Sequence, residues 1–164
     1  MGDIIWSELT SGLPDANELA HVVVRLLAAV LLGAIIGLQR ELAGKAAGLR
    51  THILVALGTT LFVLAAAGSG MSSDGVSRVV QGISTGIGFI GAGAILKLSA
   101  TREIQGLTTA ASVWMTAAIG VAVGLGGLGL ALLGTILTWI ILASIGLLEA
   151  RFERRASATS PEEH

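Results

Sequence analysis

Apolar residues do not alternate with polar ones along this chain; they run. Five stretches, at about 19–38, 51–68, 79–96, 107–125 and 129–148, are almost wholly apolar, and short polar segments separate them. A helix that crosses a bilayer needs roughly 20 apolar residues. The stretch 129–148 is the cleanest, with no charge between Gly129 and Leu148. The first stretch holds His21 and Arg25, and the others are free of charge in their interiors. The pattern predicts an all-α integral membrane protein with five transmembrane helices. Residues 1–18 form an N-terminal segment, 19–148 the membrane domain and 149–164 a short polar tail, expected to be loose.

Composition agrees. The chain is 53% hydrophobic and only 13% charged, where a soluble domain carries about 25% charged residues. A net charge of −1 gives no field that would favour nucleic acid, and the absence of cysteine excludes disulfides and thiolate chemistry. The first 18 residues hold Asp3, Glu8, Asp15 and Glu18 but no Lys or Arg, which does not fit the basic start of a secretory signal. Ile4, Ile5, Trp6 and Leu9 would lay this segment along the interface, and Asp15 and Glu18 would cap the first span.

Charge placement orients the spans. The loop 39–50 carries Arg40, Lys45 and Arg50, the loop 97–106 carries Lys97 and Arg102, and the tail carries Arg151, Arg154 and Arg155. These are eight of the ten basic residues, and five alternating spans put them all on one side. Cytoplasmic loops are enriched in Lys and Arg, so the N-terminus is expected outside and the C-terminus in the cytoplasm.

Gly86-Ile87-Gly88-Phe89-Ile90-Gly91 matches G-x-G-x-x-G. A dinucleotide loop needs a preceding strand and an acidic residue about 20 positions later. Position 111 is an alanine in an apolar run, and the motif lies at membrane depth. On a helical wheel Val79, Ile83, Ile87 and Ile90 share one bulky face, with Gly82, Gly86 and Gly93 in a stripe beside it and Gly88 and Gly91 on the remainder. Small residues let membrane helices approach closely. The third span is therefore expected to be central, touched by several neighbours. The same reasoning makes Gly33 and Gly37 a packing seam in the first span, and Thr109, Ser112, Thr116 and Gly120 another in the fourth.

Several polar residues are candidates for function. Arg25 is the embedded charge, and it either faces the bundle or snorkels outward. His21 reads as an ordinary interfacial histidine. Asp74 and Arg78 have the spacing of a helical ion pair at a capped helix start, and with Gln81 they could line an outer vestibule. Arg40-Glu41 and Arg50-Thr51 frame the first inner loop, and Thr108 and Thr109 open the fourth span. No carboxylate lies inside any span. A Mg²⁺ path usually offers carboxylates or a wet polar lining, and nothing resembles a nucleophile with its base. No enzyme chemistry and no cofactor are expected, and the residues leave a metal site open.

Four segments together, GLQRE at 37–41, AGLRTHILVALGTTLF at 47–62, DGVSRVVQGISTGIGFIGAGAIL at 74–96 and GLTTAASVWMTAAIGVAVGLG at 106–126, resemble the MgtC/SapB family of bacterial inner-membrane proteins. The resemblance covers about residues 20–145. It implies five membrane helices and a role in adaptation to low Mg²⁺ and, in pathogens, in survival inside macrophages. One member is held to bind and inhibit the F-type ATP synthase, and many are labelled Mg²⁺ transporters. Many also carry a soluble domain after the fifth helix, so this sequence resembles a short form without it. The family's motif positions fall on Arg40, Glu41, Arg50, Thr51, Asp74, Arg78, Gln81, Thr108, Thr109 and Trp114.

Two functions are expected above others. The first is a non-enzymatic membrane protein that works by helix contact with a membrane partner such as the F-type ATP synthase. The second is a transporter or channel for Mg²⁺ or another ion, with Arg25, Asp74, Arg78 and Gln81 at its outer mouth and Glu41, Thr108 and Thr109 at its inner one. A chain this short would then have to act as a homo-oligomer. A third is a structural membrane subunit.

Overall fold

The computed structural model describes residues 1–11, 15–97 and 104–159, with side chains over 1–7, 15–95 and 105–144. Its helices are α1 (Gly2–Ser11), α2 (Ala16–Leu42), α3 (Leu49–Gly68), α4 (Ser73–Gly93), α5 (Leu107–Gly124) and α6 (Leu128–Thr159). The five apolar stretches became α2 to α6. Three of them, α2, α3 and α5, are long and apolar enough to cross a membrane, and Leu128–Ser144 is a shorter apolar helix.

Local chemistry explains the ends. The Asp15 carboxylate accepts from the N–H groups of Asn17 at 3.1 Å and Glu18 at 2.8 Å, so α2 begins earlier than the apolar run suggests. The Ser72 hydroxyl accepts from Gly75 N at 3.3 Å and starts α4. Gly106 stands before α5 with φ +95, and a Cβ there would collide with the Ala94 carbonyl oxygen. Leu96–Lys97 pairs antiparallel with Ile104–Gln105. This two-residue ladder is the one departure from an all-helical chain among the described residues. α6 runs on to Thr159, so most of the tail expected to be loose is helical.

The bundle is organised around α5, which packs on α2, α3, α4 and α6, while α3 lies between α2 and α5. Ala29, Ile36, Ala56, Ile119 and Val123 form the main buried cluster. In lipid these contacts stabilise by dispersion and close approach, because tails outside are as apolar as the core. Glycines make that approach possible. A Cβ on Gly33 would lie 2.8 Å from the His52 carbonyl oxygen, and one on Gly37 2.8 Å from Leu49 Cα. Gly120 is pressed against Ala56 and Thr59, and Gly124 against Val63. The seams read at Gly33, Gly37 and Gly120 therefore join α2 to α3 and α3 to α5.

The expectation for the third span is corrected. α4 is peripheral, packing on α5 and less extensively on α3, and only Ile87 and Gly91 along it are buried. Gly91 makes an ordinary contact with Ala110 at 3.6 Å, whereas a Cβ on Gly82, Gly86, Gly88 or Gly93 would meet nothing within 4 Å. The wheel gave the stripe correctly but not its destination: the neighbours that would have filled it are packed on α5 instead.

Candidate functional site

A buried polar seam runs along the α3–α5 contact, with an arginine at each end. At the basic end α2 brings Arg40 against the first turn of α5. The Arg40 side chain is 3% exposed, and its Nη2 donates to Thr109 Oγ1 at 2.8 Å. Its Nε is buried without an acceptor, and so is the neighbouring Gln39 Oε1 without a donor. Among the described residues no carboxylate forms an ion pair with Arg40. Glu41, the nearest in sequence, accepts instead from Leu49 N at 2.7 Å and caps α3, whose own N-cap Gly48 has no side chain to offer.

His52 lies beside this corner, fully buried. Its Nδ1 is 2.9 Å from the Gly48 carbonyl and its Nε2 is 3.3 Å from Ser112 Oγ. A carbonyl can only accept, so the proton sits on Nδ1. In the neutral ring Nε2 then accepts from Ser112, whose hydroxyl otherwise donates to the Thr109 carbonyl at 2.8 Å. Further along, Thr60 Oγ1 donates across the helices to the Gly120 carbonyl at 2.8 Å. Thr59 and Thr116 turn their hydroxyls onto carbonyls of their own helices. Hydroxyls bound in this way, between glycines that hold the helices in contact, make a close-packed seam.

At the other end Arg25 Nη1 donates to the Gly124 carbonyl at 3.1 Å, a partly buried bond. Half-buried, Arg25 reaches the C-terminus of α5, where unpaired carbonyls and the helix dipole favour a cation. The turn that follows holds Gly126 at φ +86, where a Cβ would lie 2.8 Å from Arg25 Nη2.

The remaining candidates do not converge. Asp74, Arg78 and Gln81 are exposed on α4, with no ion pair between Asp74 and Arg78. α2 and α4 are not packed on each other, so Arg25 does not join them in a vestibule. Arg50, Thr108 and Trp114 are exposed and Thr51 is half-buried. At the basic end the structure unites Arg40 with Thr109 and leaves Glu41 and Thr108 outside that contact. The sequence reading missed His52, Thr59, Thr60 and Gly124. A histidine inside an apolar stretch was a usable signal; Gly124, at the end of its run, gave none.

α3 and α4 diverge to leave an apolar groove of about 590 Å³, lined by Leu54, Gly58, Phe62, Gly82, Ile83 and Gly86 among others. No group of three or more His, Asp or Glu that could hold a metal ion occurs among the described residues.

Comparison with known proteins places this architecture. Protein SrpB of Synechococcus elongatus is 45% identical over 136 residues, which cover 76% of this chain and 75% of SrpB. The putative magnesium transporter YhiD of Escherichia coli K12 is 41% identical over 75% of the chain and 60% of YhiD. Protein MgtC of Salmonella typhimurium is 44% identical over 78% of the chain and 53% of MgtC. The chain thus spans only about half to three quarters of the length of these relatives. No solved structure matches it. A profile of the MgtC family matches residues 26–151, from within α2, just past Arg25, to the far part of α6, and the chain belongs to the MgtC family.

Proposed function

We infer that this chain is a non-enzymatic, multi-pass protein of a bacterial inner membrane that acts by presenting α4 to a helix of another membrane protein, in adaptation to low Mg²⁺. Five spans with the N-terminus outside complete the reading. One observation carries it: Gly82, Gly86, Gly88 and Gly93 leave open space on a helix that its own chain hardly covers. Glycines weaken a helix by roughly 1 kcal/mol each relative to alanine, and a lipid-facing surface has no need of them. A foreign helix does, because it can approach only where side chains are small. The F-type ATP synthase is the partner that the family resemblance suggests.

The name of YhiD, a putative magnesium transporter, favours a second reading as an ion transporter or channel, acting as an oligomer. The close-packed α3–α5 seam, with an arginine at each end, weighs against a Mg²⁺ path through one chain.

Flux into proteoliposomes with a Mg²⁺-sensitive dye inside separates the two. Empty liposomes and an Arg25→Ala/Asp74→Ala variant serve as controls. The partner reading expects no entry above empty liposomes from folded protein. Saturable entry that the double variant abolishes would overturn it.

A further inference from the structure

The Arg40 corner asks for a group that the described residues do not supply. A guanidinium has five N–H donors and carries a charge at every accessible pH. Here it is 3% exposed. Among the described residues its side chain makes one hydrogen bond, to a neutral hydroxyl, and Nε is buried with no acceptor at all. A buried charge without an opposite charge is strongly unfavourable. The candidate counter-charge beside it, Glu41, is engaged by Leu49 N.

The guanidinium is also aimed at a place that attracts anions. Its partner Thr109 is the third residue of α5, and the N-cap, Gly106, provides no side chain to the first-turn amides. Those N–H groups and the helix dipole favour negative charge. Lys45 and Arg50 are exposed at the same end of the bundle. Gln39 adds a buried amide whose oxygen lacks a donor; turned over, the same amide offers N–H groups. Every unspent group here is a donor or can become one.

We propose that Arg40, with the uncapped first turn of α5, is the centre of an oxyanion site that takes a phosphate group. Guanidinium and phosphate pair through two parallel N–H···O bonds, and basic pockets between helices on the cytoplasmic side suit lipid headgroups. The phosphate can belong to an anionic phospholipid of the inner leaflet or be free in solution. The site is independent of the α4 surface, so either reading can fail alone.

Thermal unfolding of the purified full chain in a neutral detergent tests this. Phosphatidylglycerol, phosphatidylcholine and inorganic phosphate are titrated separately into the wild type, Arg40→Gln and Lys45→Gln/Arg50→Gln. The expected result is a saturable rise in Tm with phosphatidylglycerol and none with phosphatidylcholine. Arg40→Gln should need at least about tenfold more lipid, the loss of a charge-assisted bidentate pair. A matching rise with inorganic phosphate would assign the site to the free ion. If Arg40→Gln does not fold, the double variant decides: it should keep the rise, and losing it would reduce the effect to surface charge. No rise with either anion would overturn the proposal. So would a Glu103→Gln variant that raises the response to anions well above the wild type, since Glu103, outside the described residues, would then be the counter-charge that occupies Arg40.

Discussion

Gly120→Ala tests the packing that holds α3 against α5. The added methyl would collide with Thr59 Oγ1 and sit 2.5 Å from the Ala56 carbonyl oxygen and 3.1 Å from Ala56 Cα. Thr59 can rotate at the cost of its bonds to Val55 and Ala56. The Ala56 oxygen cannot move aside, because it belongs to the α3 backbone. The helices must part by several tenths of an ångström, and a gap of 0.5–1 Å forfeits roughly a quarter to a half of each dispersion contact across it. Overpacking of this kind costs about 1–3 kcal/mol. Alanine also favours the helix by roughly 1 kcal/mol over glycine, which would mask part of the loss in a single measurement. Gly86→Ala supplies the control, since its methyl meets nothing within 4 Å and it gains the same propensity. The comparison cancels the propensity and leaves the clash. For a chain of this size 1 kcal/mol moves Tm by about 2–4 °C. Gly120→Ala should therefore unfold roughly 2–12 °C below Gly86→Ala in the same detergent. Equal Tm values would refute the close α3–α5 contact.

Other perturbations draw on the same geometry. Arg25→Gln should lower Tm by the equivalent of roughly 0.5–2 kcal/mol, since it removes the charge that caps α5 at Gly124; no change on thermal unfolding would return Arg25 to the interface. His52→Ala empties a fully buried position and breaks the contacts to Gly48 and Ser112, a loss of about 2–5 kcal/mol, whereas His21→Ala, exposed, should leave Tm unchanged. Thr60→Val keeps the volume and loses the interhelical bond to Gly120; bonds of this kind average about 0.6 kcal/mol in membranes, so a small drop is expected, and a large one would show that the hydroxyl is coupled to more than one carbonyl. A cysteine at Gly86, the first in a chain that has none, should cross-link in native membranes to a different membrane protein, while one at Gly134, packed against Met115 and Ile119, should not.

The sequence carried the helices because each is a local matter. An apolar run of about 20 residues has one low-energy arrangement in lipid, with every backbone bond satisfied inside its own helix, and Asp15 and Ser72 cap the helices that begin beside them. The seam glycines at Gly33, Gly37 and Gly120 were also legible, since their spacing places them on one face whatever they meet. Five helices and the Asp15 cap of the first therefore stood in the order of residues alone, whereas the Ser72 and Glu41 caps did not.

Which face meets which helix is a non-local choice, and only the tertiary structure made it. The glycine stripe of α4 and the seam of α5 look alike as sequence, yet one faces open space and the other lies against backbone. Arg40 read as a loop charge at the membrane edge; folding buried it against Thr109, 69 positions away in the chain. Arg25 reaches Gly124 only because folding brings the end of α5 beside it. In lipid nothing but close fit and a few hydrogen bonds selects between such pairings, and a fit of two surfaces is a property that neither stretch of sequence has by itself.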